Sequence, residues 1–197
     1  MKLLAITGGI CSGKTTVSAM FAQLGAEVVD LDKVGHKALE VPDVITTLQK
    51  RWGEKVMTDA NQISRRAVAE VVFADETELK FLESLIHPLI EKNVNERTLQ
   101  AKRENKPAVL LDAPLLFEVG WDRMVDIVLF ADCPEHIRLQ RAKKRNWTEI
   151  EFQQRTSQQI PAEEKRKMSN IVFDTSQPKE AVASDVERFW KSEITPH

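Results

Sequence analysis

Gly8-Gly9-Ile10-Cys11-Ser12-Gly13-Lys14-Thr15 reads G-x-x-x-x-G-K-[ST] in full. Leu3 to Thr7, just before it, is an apolar run. Thr15 to Leu24, just after it, sets Val17, Met20, Phe21 and Leu24 on one helical face. A glycine-rich turn between a buried strand and a helix can wrap its backbone N–H groups around phosphate oxygens, and the helix N-terminus adds positive field there. The stretch therefore predicts a phosphate-binding loop, with Gly9, Ile10, Cys11, Ser12, Gly13, Lys14, Thr15 and Thr16 as nucleotide-binding residues. Lys14 supplies a point charge for the β- and γ-phosphates, and the Thr15 hydroxyl is a candidate Mg²⁺ ligand. Cys11 reads as a small residue tolerated inside the loop.

Four further apolar runs, Ala26 to Val29, Val109 to Leu111, Ile127 to Phe130 and Ile171 to Phe173, also fail to alternate apolar with polar. Strands of that kind belong to a parallel sheet covered on both faces. Helical patterns at Pro134 to Arg145 and Lys179 to Trp190 supply crossovers. The predicted fold is α/β, a five-stranded parallel sheet flanked by helices.

Two stretches break the alternation. Positions 33–105 carry only helical patterns, among them Asp43 to Trp52, Arg65 to Phe73 and Glu76 to Ile86, with another helix expected after Pro88. That is far longer than the usual connection of ~2–6 residues, so it reads as a helical insertion. Positions 138–167 are unusually polar. Thr148 with Glu151 makes a capping box there, and a helix polar on all sides suits a mobile lid. The expected core is 1–32, 106–137 and 168–197.

Composition bounds the partners. The 197 residues carry 28 Lys and Arg against 30 Asp and Glu, and 42% are hydrophobic. This excludes wholesale disorder and nucleic-acid binding through bulk charge. No window reaches the ~20 apolar residues of a membrane span. Leu3 to Ile6 is too short for a signal-peptide core. Cys11 and Cys133 are lone thiols without disulfide or metal spacing. The expectation is a reduced, cytoplasmic protein without nucleic-acid or membrane partners, monomeric or weakly homo-oligomeric.

A phosphate loop serves kinases, GTPase switches and motor ATPases alike. Asn105-Lys106-Pro107-Ala108 lacks the Asp of an N-K-x-D guanine reader, and no L-S-G-G-Q run is present. Small size, a helical insertion and an Arg-rich lid fit a kinase that closes over two substrates and excludes water. Asp30 and Asp32 follow the second strand, at the sheet edge where ligands bind in open α/β folds. Asp32 is the candidate for orienting or deprotonating an acceptor hydroxyl. Asp30 reads equally as a helix cap. Asp112 ends the third strand, either as an acidic group near Mg²⁺ or as a plain strand-end residue. Arg138, Arg141 and Arg145 share a helix face, and Arg141 and Arg145 are candidates for gripping the transferring phosphoryl group. A solvated basic face is the competing reading.

Taken together, these residues resemble the bacterial dephospho-coenzyme A kinases along nearly the whole chain. Val28-Val29-Asp30-Leu31-Asp32 resembles the family's D-x-D. Ile63-Ser64-Arg65-Arg66-Ala67, with Val72-Phe73 and Ile86-His87-Pro88, resembles its helical coenzyme-binding domain. Asp112-Ala113-Pro114-Leu115-Leu116-Phe117-Glu118 resembles P-L-L-[FI]-E, and Arg141, Arg145, Arg155 and Gln159 resemble its lid. The resemblance implies a P-loop NTPase fold related to nucleoside monophosphate kinases, with 33–105 as the acceptor domain. It also implies Mg²⁺-dependent transfer from ATP to the ribose 3′-hydroxyl of dephospho-coenzyme A. By it, Asp32, Lys14 and Arg141 are catalytic, Arg141 and Arg145 bind ATP, Thr15 and Asp112 hold the metal, and Asp32, Arg65, His87 and Leu115 face the acceptor. The rivals are a kinase for another nucleotide-like acceptor and a slow ATPase switch. The chain departs from the family pattern at Cys11, His36, Arg138, Asn170 and Asp174. Trp52, Trp121, Trp147 and Trp190 are expected to pack in the core or at an interface.

Overall fold

The computed structural model describes residues 1–195. All five strands form at the predicted runs, each within two residues: β1 (Lys2–Gly8), β2 (Glu27–Asp30), β3 (Ala108–Asp112), β4 (Ile127–Asp132) and β5 (Ile171–Asp174). They pair in parallel in the order β2-β3-β1-β4-β5. The reason they do not alternate is visible in the packing. Leu4, Ile6, Leu110 and Leu129 are buried on one face, while Ala5, Val109, Leu111 and Val128 are equally buried between them.

The phosphate loop is carried by β1, the central strand, and leads into helix α1 (Lys14–Gln23). On α1, Val17, Met20 and Phe21 are buried, with Phe21 edge-on to Phe173, Phe189 and Trp190 at ring separations of 5.9–6.1 Å. Phe189 closes helix α9 (Lys179–Phe189), and the chain continues as a π-helical turn, Trp190–Ile194. Edge-to-face pairs add to the burial of these large rings, so the helix behind the loop is firmly seated.

The chain divides into two compact units, Met1–Asp30 with Leu99–His197, and Leu31–Thr98. The second unit starts at once: helix α2 (Leu31–Ala38) follows β2 without a linker, with Asp32 in its first turn. An acidic side chain there favours the positive helix end. Then come α3 (Pro42–Trp52), α4 (Arg65–Ala74) and α5 (Glu76–Arg103). Val44, Leu48, Trp52, Val68, Val72 and Leu82 form its core. Ser64 caps α4 by accepting from the Ala67 N–H.

The separate helices expected on either side of Pro88 are a single 28-residue helix, α5. An internal proline loses one backbone bond and costs ~3 kcal/mol or more. Leu82, Ile90 and Val94 fall on one helical face across that break and are all buried, so packing on both sides holds the helix together.

Beyond the sheet centre lie α6 (Glu135–Lys143), α7 (Glu149–Ser157) and α8 (Ala162–Met168). The Thr148–Glu151 capping box opens α7 as expected.

Candidate active site

The loop residues Gly8 to Thr16 line a cavity of about 190 Å³, together with Pro114, Arg145, Trp147 and Gln159. The chain turns tightly there, with the Ser12 N–H bonded to the Gly9 carbonyl at 3.0 Å. Gly13 sits at φ 95°, and a Cβ on it would stand 3.1 Å from an Arg141 nitrogen. Gly8 approaches the Ala131 carbonyl so closely that a Cβ would lie 2.8 Å from it. Both positions require glycine. Cys11 does not match that rule: it holds φ 59° with a side chain, a left-handed conformation glycine adopts without steric cost. The Ser12 hydroxyl is buried and has no hydrogen-bond partner. A buried orphan donor beside a phosphate cradle is a group that an anionic oxygen would satisfy.

A second cavity of about 420 Å³ adjoins the loop, lined by Cys11, Gly13, Thr16, Arg141, Arg145 and Thr175, with Val17, Met20 and Val182 supplying an apolar side. Five of the predicted nucleotide-binding residues thus meet at one apolar-sided recess beside the phosphate loop.

The expected arginine face is graded rather than uniformly solvated, and it is shorter than predicted, because α6 ends at Lys143 and leaves Arg145 in the turn that follows. Arg138 is 5% exposed. Its Nε donates to the Cys133 carbonyl at 3.1 Å and its Nη1 to the Ile10 carbonyl at 3.4 Å. Arg141 donates to the Ser12 carbonyl at 3.0 Å and the Thr175 carbonyl at 2.6 Å. Arg145 is exposed and lines both cavities, with a nitrogen 4.0 Å from the Cys11 sulfur. The solvated-face reading fails for the first two, which brace the outside of the loop by its carbonyls. Thr175 strengthens that brace, because its hydroxyl reaches the carbonyls of Ser12 and Asp132.

Lys14 pairs with Asp112 at the end of β3, and the Ser18 hydroxyl donates to the other carboxylate oxygen at 2.8 Å. Asp112 is therefore no plain strand-end residue. Asp30 lies opposite it in the β2–β3 register. Leu115 is exposed in the turn after β3. Asp32, Arg65 and His87 belong to the second unit. Asp32 is exposed on α2, Arg65 heads α4 and pairs with Glu40 at 3.3 Å, and His87 is half-buried on α5. His36 and Arg65 line a cavity of about 410 Å³ within that unit.

Two features escaped the sequence reading. Lys165 is fully buried, paired with Glu118 at 2.6 Å, and donates to the Pro114 carbonyl at 2.7 Å. Burial pushes its pKa down, opposed by Glu118. Only the last residue of the P-L-L-F-E segment hinted at this, and nothing marked its partner. Trp147, expected to pack in the core or at an interface, lines the loop cavity, with the Arg155 guanidinium 4.3 Å above its ring. Trp52 and Trp190 are core residues as expected.

Cys133 is buried, and desolvation raises its thiol pKa. Cys11 is half-exposed in the cavity. A thiol-specific reagent is expected to titrate one cysteine in the native protein and both in denaturant, with ADP protecting the first. Two fast-reacting thiols in the native state would contradict this placement.

The donor set fits magnesium. Thr15 and Asp112 offer hard oxygens, which suit a cation that keeps several waters and shares itself with phosphates. No group of three or more His, Cys, Asp or Glu able to hold a metal occurs among the described residues, so such an ion would depend on nucleotide phosphates for the rest of its shell.

A lysine-bearing phosphate loop on the central strand of a parallel sheet, beside a helix of arginines, is the plan of the small P-loop kinases. Solved shikimate kinases from Acinetobacter baumannii and Aquifex aeolicus have a similar fold, with TM-scores of 0.53 and 0.54 at 16% identity over 98% and 99% of this chain, and 92% and 99% of theirs. The dephospho-CoA kinase family model matches residues 2–180, and the chain belongs to that family. A dephospho-CoA kinase of Symbiobacterium thermophilum is 32% identical over 98% of this chain and 81% of its own. One from Bacillus licheniformis is 35% identical over 88% of each. A crystal structure from Thermus thermophilus has a TM-score of 0.88 at 32% identity over 98% of both chains.

Proposed function

We propose that the chain transfers the γ-phosphoryl group of ATP to the ribose 3′-hydroxyl of dephospho-coenzyme A, the closing step of coenzyme A synthesis, in the cytoplasm. The observation that carries this is the family match over residues 2–180 on a structure whose phosphate-loop cavity is lined by Lys14, paired with Asp112, and by Arg145. Mechanistically the protein positions and neutralises. The loop N–H groups hold the β-phosphate, Lys14 spans β and γ, and Arg145 and Arg141 counter charge on the transferring group. Arg141 acts from the rigid side, since two loop carbonyls already fix it. Thr15 and Asp112 would hold magnesium, which when bound neutralises phosphate charge. Segment 138–167 serves as lid, held to the core near its ends by Arg138, Arg141 and Lys165, and the second unit, with Arg65 and His87, takes the acceptor. Asp32, on the exposed first turn of α2, orients the 3′-hydroxyl and accepts its proton.

Release of ADP tests the reading. Dephospho-coenzyme A is expected to stimulate it strongly, a nucleoside monophosphate or no acceptor only weakly. Acceptor-independent turnover would point to an ATPase switch. Asp32→Asn is expected to lower kcat about a hundredfold while leaving ADP affinity within twofold, as general-base contributions of that order imply. An unchanged kcat removes Asp32 from the chemistry.

A further inference from the structure

Ser18 stands one helical turn after Lys14, facing the site from behind. It is 4% exposed. Its hydroxyl lies 3.1 Å from the Lys14 carbonyl, the usual acceptor for a serine inside a helix, and 2.8 Å from Asp112 Oδ2. The hydroxyl has one proton to give, and the nearer, charged acceptor makes the stronger bond. Lys14 meets the other oxygen, Oδ1. The carboxylate is thus held at both ends, by a neutral donor fixed on the helix and by a cation on a flexible stem.

These two holds respond differently to nucleotide. Phosphates attract Lys14 and leave Ser18 where it is. We infer that Ser18 is a positioning residue for the metal-side carboxylate: it pins Oδ2 of Asp112 so that Oδ1, once Lys14 swings to phosphate, stays presented to a hard cation or its water shell. Without that bond the carboxylate turns freely about its last torsion, which is broad and two-fold. Both oxygens then compete for Lys14, the resting pair tightens, and the cation loses a pre-oriented ligand. Outer hydrogen bonds of this type commonly alter metal affinity by about 10–100-fold. The inference rests on the reading of Asp112 as a metal-side group.

The experiment measures ADP binding by calorimetry, with excess magnesium and with a chelator, for the unmodified protein, Ser18→Ala, Asp112→Asn and the double variant. Alanine suits a buried helix interior, so folding should persist. The factor by which magnesium strengthens ADP binding is expected to fall about tenfold in Ser18→Ala, with binding in chelator retained. Asp112→Asn should lose that factor, and adding Ser18→Ala to it should change nothing more. In turnover, Ser18→Ala should need more magnesium while its KM for the acceptor stays the same. An unchanged magnesium factor in Ser18→Ala, or equal weakening with and without magnesium, overturns the positioning role. Absence of any magnesium effect in the unmodified protein overturns the metal reading of Asp112 itself.

Discussion

Lys14→Ala is expected to lower kcat/KM on the order of a thousandfold, about 4 kcal/mol of transition-state stabilisation. Lys14 opens α1 at the mouth of the loop cavity and is paired with Asp112. Its charge therefore sits at the loop cavity, where the proposed reaction would develop charge on the γ-phosphoryl group. The loop N–H groups survive the substitution and keep much of the grip on the β-phosphate, so ADP affinity should fall far less than turnover. Asp112, 7% exposed, would lose its cationic partner and keep only hydrogen bonds such as that from Ser18. A modest drop in thermal midpoint should therefore accompany the kinetic loss. Steady-state ADP release measures the first effect, and a decrease under tenfold would sink the role assigned to Lys14.

Glu118→Ala is expected to cost about 3–5 kcal/mol of folding stability, because it strands a fully buried ammonium. At ~2–4 °C per kcal/mol for a chain of this size, the thermal midpoint should fall by about 6–20 °C. Glu118 accepts from Lys165 Nζ at 2.6 Å and from the Ile160 N–H at 3.0 Å, so it fastens the segment before α8 to the turn after β3. Removing the residue that raises the Lys165 pKa leaves desolvation unopposed. The unfolded chain then holds a proton that the folded chain has lost, so the variant's stability should rise with pH across a window below the ordinary lysine value. Glu118→Leu with Lys165→Met should recover most of the loss. Urea unfolding decides: a Glu118→Ala midpoint matching the unmodified protein would mean the pair contributes nothing.

The sheet was legible because its five strands are buried on both faces and read as short unbroken apolar runs. The loop was legible because Gly8, Gly13 and Lys14 each meet a separate steric or electrostatic demand. Helix α2 was not, because Leu31 and Ala38 alone carry its buried face. Pro88 misled because the rule it obeys is local, whereas Leu82, Ile90 and Val94 override it by tertiary packing. Arg138 and Arg141 looked alike in sequence to any solvated charge run. What distinguishes them is backbone carbonyls of the loop over 120 positions away in sequence. Lys165 was invisible for the same reason, since its partner Glu118 is 47 positions upstream.

The strand order has a consequence for how the molecule opens. β1 has a neighbour on each side, while β2 and β5 each have one. Amide protons on a doubly paired central strand exchange with solvent among the last, and those of sheet margins sooner. The phosphate loop is anchored to β1, but Thr175 and Gln177 of the adjoining recess hang from the marginal β5. Partial unfolding is therefore expected to dismantle the two halves of the proposed nucleotide site in sequence: the β5 side lets go first, and the phosphate loop holds until the domain itself unravels.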